Sequence, residues 1–147
     1  MFTHLLLPTD GSRLSEAAIQ KGVQFAKGIN AKVTGLYLMP EFHAVTYKTQ
    51  MPEDIGEEFA KDCRAYADRF LSVIEEAAKA ADVACDIALA TSDHPYEAIV
   101  KTAEEKGCDL IMMASHGRKG LQGLTLGSQT QKVLTHCHIP VLVYREA

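Results

Sequence analysis

No stretch of this 147-residue sequence approaches the roughly 20 consecutive apolar residues of a membrane span. Its opening, Met1-Phe2-Thr3-His4, also lacks the basic start of a signal peptide. A cytoplasmic protein with no membrane partner is therefore expected. Basic charge is not in excess: 15 Lys and Arg stand against 19 Asp and Glu, a formal net charge of −4. No global field draws such a chain to nucleic acid or to an anionic membrane. Paired cysteines are missing as well. Cys63, Cys85, Cys108 and Cys137 are widely scattered, with no Cys-x-x-Cys and no zinc spacing, so they read as reduced, mostly buried thiols. His136-Cys137-His138 is a local cluster of possible metal ligands. Residues at i and i+2 converge on a metal only in extended backbone, and the neighbourhood offers no third and fourth ligand, so no metal site is assigned.

The two commoner phosphate loops are absent too. There is no Gly-x-Gly-x-x-Gly, and no glycine-rich stretch ends in Gly-Lys-Ser/Thr. With no Walker lysine, no catalytic carboxylate pair and no positioned nucleophile, no catalytic residue is assigned.

What is present is an ordinary globular composition, 47% hydrophobic and 23% charged, in a chain of the length of one domain, residues 1–147. His4-Leu5-Leu6-Leu7 reads as a first strand ended by Pro8, and Thr9-Asp10-Gly11-Ser12 as a turn leading into a helix. That helix, from about Ser15 to Asn30, repeats apolar residues at Ile19, Val23, Ala26 and Ile29. Lys32 to Met39 returns to strand, closed by Pro40, and Glu41 to about Pro52 is a loop of a kind that can overhang a site. A long helix follows from about Glu53 to Ala81, with Phe59, Cys63, Tyr66, Phe70, Ile74 and Ala77 on one side. Val83, Cys85, Ile87 and Leu89 alternate as a half-buried strand. Thr91-Ser92-Asp93-His94-Pro95 supplies a turn and cap for a helix that ends at Gly107. Asp109 to Met113 is an apolar run suited to a strand buried on both faces, and Pro140 to Tyr144 is a last strand.

Strand–helix alternation four times over, then a closing strand, argues for a parallel sheet with helices on both faces. Ligands in such folds bind beyond the carboxyl ends of the strands, where strand order reverses. Two loops leave such ends, Pro8 to Ser12 and Ala114 to Gly127, and they can share one pocket.

The second loop carries Gly117, Gly120, Gly123 and Gly127. Glycines let backbone approach a ligand closely, although such a connection can also be a flexible surface loop. After it, Ser128 with Gln131 fits a capping box, and Val133 and Leu134 form the apolar face of a short helix. The start of that helix, at Gly127, Ser128 and Gln129, can bind an anion, with Arg118 and Lys119 as cations nearby. Phosphate is the natural candidate. Asp10 is ambiguous: a carboxylate there can take part in binding or cap the first helix. His116 has a type suited to a general base, but no nucleophile or oriented carboxylate stands with it, and it is assigned to loop structure.

Three segments together resemble the universal stress protein family: Leu6 to Ser12, Cys108 to Gly117 and Ile139 to Val143. The resemblance covers essentially the whole chain. It implies a single-domain α/β fold, Rossmann-like and similar to the adenine nucleotide alpha hydrolases, with a five-stranded sheet in order 3-2-1-4-5. The nucleotide-binding branch is marked by Gly-x2-Gly-x9-Gly-Ser/Thr. Here the pattern is Ala114-x2-Gly117-x9-Gly127-Ser128, with the spacing kept and the first glycine replaced by alanine. A methyl group there is a modest addition at negative φ and a clash at positive φ.

Carried onto this chain, the resemblance implies adenine between Pro8, Thr9, Asp10 and Leu38, with Met113 lining the pocket. Ala114, Ser115 and Gly117 would lie by the ribose and α-phosphate, with His116 and Gly120 in the same loop. Gly127, Ser128, Gln129 and Thr130 would hold phosphates, beside Arg118 and Lys119. The cofactor implied is ATP, or ADP or AMP, with Mg²⁺. The partners implied are a second copy through Val141–Tyr144 and a regulatory protein whose identity the sequence does not give. The function expected is nucleotide sensing in a stress response, with at most weak ATP hydrolysis. The alternatives are an interaction module of the same family that binds no nucleotide, and a slow ATPase.

Overall fold

The computed structural model describes residues 1–39, 53–115 and 127–145, with side chains described for all of these except 53–60 and 63. Strands and helices alternate: β1 (His4–Thr9), α1 (Arg13–Ile29), β2 (Lys32–Met39), α2 (Glu53–Ala80), β3 (Cys85–Thr91), α3 (Pro95–Lys106), β4 (Leu110–Ala114), α4 (Ser128–His136) and β5 (Val141–Tyr144). The strands form one parallel sheet in the order β3-β2-β1-β4-β5, as the alternation and the resemblance imply. The loop expected over Glu41 to Pro52 lies outside the described residues.

Burial follows sheet position. Every residue of β1 and β4 is buried, as central strands covered by helices on both faces must be. Leu5 and Leu7 face α1 and α2, packing with Ile19, Val23, Ala67, Phe70 and Ile74. Leu6 faces α3 and α4, packing with Leu36, Ile99, Ile111 and Val133. Each fully buried aliphatic side chain contributes about 1.5–3 kcal/mol relative to exposure. One glycine sets how close a helix can come: a Cβ on Gly35 of β2 would sit 2.6 Å from Ile74 Cδ1 and 2.9 Å from its Cγ2.

Several expected details are corrected. β1 does not end at Pro8 but runs through Thr9, and α1 begins at Arg13 with Ser12 as N-cap. Ile29, expected on the buried face of α1, is exposed, and Leu14, Ala18 and Gly22 are buried instead. On α2 the buried stripe is Ala67, Phe70, Leu71, Ile74 and Ala78, with Tyr66 at 53% exposure on its flank, stacked on Phe70 at 6.3 Å. The third strand starts at Cys85 rather than Val83, and Ile87 and Leu89 are exposed because β3 is an edge strand. On α4 Val133 is buried, whereas Leu134 is 43% exposed.

β1 and β4 are clasped at one end and parted at the other. At the amino end the Asp109 carboxylate accepts from the N–H groups of Thr3 and His4 and from the Thr3 hydroxyl, and Asp109 N–H donates to the His4 carbonyl. The strands then pair at Leu5 with Leu110 and Leu6 with Ile111. Beyond that, β1 stays registered with β2 to Thr9, and β4 with β5 to Ala114. Pro8 fits this parting. The Thr3 carbonyl accepts from Lys32 at the start of β2, and the His4 carbonyl from Asp109 just before β4, so even-numbered residues of β1 address β4. Proline's missing donor thus falls on the side where the ladder has ended.

Candidate functional site

The carboxyl ends of β1 and β4, with the starts of α1 and α4, surround the point where strand order reverses. At β1 the chain turns tightly on Gly11, whose φ of 81° lies in the region that favours glycine. Polar groups brace this turn. The Asp10 carboxylate accepts from Ser12 N–H at 2.9 Å and from the Ser15 hydroxyl at 3.2 Å. Thr9 Oγ1 accepts from Gly11 N–H at 3.0 Å and lies 2.8 Å from Ser15 Oγ. Ser12 Oγ accepts from Ser15 N–H, so the cap of α1 is Ser12 and not Asp10.

At β4 the chain leaves through Ser115, which is buried and donates its N–H to the Tyr144 carbonyl. Its own carbonyl accepts from Gly127 N–H at 2.6 Å and from Thr130 Oγ1 at 3.2 Å, and Thr130 Oγ1 also lies 3.0 Å from the Ala114 carbonyl. The first turn of α4 is thereby latched to the end of β4. The capping box expected at Ser128 is not formed: the N-cap is Gly127, with φ −62° and ψ 153°, and no side chain caps the helix. Gln131 N–H is bonded to the Gly127 carbonyl. Helix geometry leaves the N–H groups of Ser128, Gln129 and Thr130 without an intrahelical acceptor, at the positive end of the helix dipole. Ser128 is exposed there, whereas Thr130 is buried with its hydroxyl turned to the strand.

The sheet sorts the remaining expected residues by face. Leu38 and Met113 pack in the α3–α4 core, and Pro8, two residues after Leu6, lies on that same face. Thr9, Ala114 and their neighbours belong to the α1 face. Ala114 does not have positive φ, and its methyl is buried against Leu14 and Ala18 of α1, with Tyr144 alongside. The alanine in place of the motif glycine is therefore absorbed by the core, without backbone strain. His116, Gly117, Arg118, Lys119 and Gly120 lie outside the described residues.

Two features escaped the sequence pattern. The hydroxyls of Ser12 and Ser15 complete the Asp10 turn. The Gln129 side chain accepts from Tyr96 N–H of α3 at 3.1 Å, where His94, the N-cap, offers no side-chain bond. The one signal for this was a histidine, a poor cap, directly before Pro95.

Away from the site, burial pushes the Cys85 and Cys108 thiols up to about 11, so neither is a thiolate near neutral pH. His136 Nδ1 is 2.9 Å from the Lys132 carbonyl, and its ring packs against Tyr96. Among the described residues no group of three potential metal ligands converges, and no helix is long and apolar enough to cross a membrane.

Comparison with known proteins places this geometry. The family model described as "Universal stress protein family" matches residues 1–145. The universal stress protein YxiE of Bacillus subtilis is 30% identical, over 99% of this chain and 100% of its own. Among solved structures, the protein MJ0577 of Methanocaldococcus jannaschii superposes with a TM-score of 0.85 at 28% identity, covering 100% of this chain and 98% of that one. A universal stress protein solved in complex with cAMP has a TM-score of 0.70 at 24% identity, covering 99% of each chain, a likeness of fold.

Proposed function

Because the chain belongs to the universal stress protein family, we propose that it binds an adenine nucleotide at the parted ends of β1 and β4 and acts as a regulator. The observation that carries this is the start of α4. Its first turn is fixed to β4 by Gly127 and Thr130, which presents the N–H groups of Ser128, Gln129 and Thr130 beside the crevice. Donors held in advance bind phosphate without a further ordering cost. Pro8, Leu38 and Met113 supply the apolar wall for the base, and a family member holding cAMP supports an adenine ligand.

ATP is the form proposed, with ADP or AMP as the alternatives. Mg²⁺ would offset phosphate charge, and Asp10, whose carboxylate also braces the turn after β1, would help to hold it through water. Arg118 and Lys119 are proposed as phosphate neighbours. The protein would work in the cytoplasm as a homodimer joined through Val141–Tyr144, altering a regulatory partner according to nucleotide occupancy. Turnover is not required for this role.

The test is to denature freshly purified protein, identify released nucleotide by chromatography, and titrate the emptied protein with ATP by calorimetry. About one adenine nucleotide per chain, with ATP rebinding, is expected. Gly127→Glu, which adds bulk and a negative charge at the N-cap, should weaken ATP binding at least tenfold with the circular dichroism of the fold kept. A folded mutant with unchanged affinity would refute the placement. A folded wild-type protein that neither carries nor binds nucleotide would instead favour the interaction module.

A further inference from the structure

We propose that Gln129 is a positioning residue that ties the phosphate-binding turn of α4 to the first turn of α3, so that nucleotide affinity depends on a bond made outside the pocket. The inference rests on the nucleotide reading above and names a residue through which that site is held.

α3 cannot complete its own start. Its N-cap is His94, at φ −118° and ψ 82°, with no side-chain cap bond. Pro95 at the first helical position has no N–H, and the next donors, Glu97 and Ala98, are taken by the His94 carbonyl at 3.0 and 3.4 Å. Tyr96 N–H is the first-turn donor still needing an acceptor, and Gln129 Oε1 provides it at 3.1 Å. A cap ordinarily supplied by a local Ser, Thr, Asp or Asn is here supplied from another helix.

The supplier occupies a particular place. Gln129 is the second residue of α4, and its backbone N–H is among those offered to phosphate. The first turn of α4 is held toward β4 by Gly127 and Thr130, and toward α3 by Gln129. Tyr96 extends the contact along α4: its ring lies 5.5 Å from Lys132 Nζ and 5.2 Å from the His136 ring. One residue of α3 thus touches α4 from first turn to last. Loss of the Gln129 bond leaves the turn latched on one side only, free to rotate its N–H groups away from the phosphate.

The experiment separates positioning from simple stabilisation of α3. Gln129→Leu removes the acceptor and keeps bulk. His94→Ser gives α3 a cap of its own. ATP affinity is read by calorimetry, and the Tyr96 amide by hydrogen exchange. Gln129→Leu should bind ATP about fivefold more weakly, the loss of one net hydrogen bond, and should exchange the Tyr96 amide faster. Adding His94→Ser should restore slow exchange at Tyr96 and leave ATP binding weak, and His94→Ser alone should bind like wild type. The proposal is overturned if Gln129→Leu keeps full affinity, or if His94→Ser restores affinity along with slow exchange. Failure of the nucleotide reading looks different: wild-type protein itself would then not bind ATP, and the positioning role would fall with it.

Discussion

His4 shows how one side chain can set a pH limit. It is buried at the amino end of β1, with Nε2 2.6 Å from the Thr34 hydroxyl. Burial, and then the charge of Lys32, hold its pKa below the ordinary value of 6.5, although Asp109 and Asp86 pull the other way. The unfolded chain therefore takes up this proton at a higher pH than the folded one. Stability from this residue is complete above about pH 6.5 and is lost as pH falls through the lower folded value. Melting temperature followed between pH 8 and 5 should be flat above that point and decline below it. His4→Phe should flatten the slope in that window, and an unchanged slope would assign the effect elsewhere. Ala114 makes a complementary point at the same scale: a departure from the expected glycine pattern carries no backbone strain where the methyl turns into the core.

Among the elements, the helices differ in how well local pattern revealed them. α1 and α2 are long enough for periodicity to outweigh noise, and their ends fall within two residues of expectation. Their buried stripes were less legible, because Tyr66 and Ile29 continue the apolar repeat onto the rim, where hydrophobicity alone does not distinguish depth. The start of α4 was misread by one residue. Ser128 and Gln131 have the chemistry of a capping box, but the register is fixed by Ser115, twelve or more residues earlier, through Gly127 and Thr130. Contacts so distant in sequence leave no local signature, and for Gln129 with Tyr96 the only trace is the uncapped histidine before Pro95. The close packing of α2 on β2 is also testable. Gly35→Ala would place its methyl against the branched atoms of Ile74 in a filled core, so it should destabilise the fold by about 1–3 kcal/mol in urea titration. A loss within experimental error would mean that α2 can lift from β2.

At the scale of the whole molecule, the sheet ends in two unlike edges. β3 is seven residues long, whereas β5 has four and follows Pro140. Leu142 of β5 is 38% exposed and Leu134 of α4 is also exposed, apolar surface on the side where the family resemblance puts a second copy. A dimer formed by β5 should be broken by Leu142→Arg, which sets like charges together across a two-fold axis. Analytical ultracentrifugation should show wild-type dimer and mutant monomer. A dimeric mutant would move the interface elsewhere.

The clasp at Asp109 also gives the sheet a lever. With the two strands fixed to each other at their amino ends and not paired with each other beyond Leu6 and Ile111, a rise of about 3.3 Å per residue makes the end of β1, carried together with β2, an arm of roughly 10 Å. A twist of about 5° at the fulcrum then moves the tip by about 1 Å, a displacement on the scale that matters to a hydrogen bond. Mechanical advantage of this kind would let a modest strain at the bottom of the sheet be felt as a change of grip at the top.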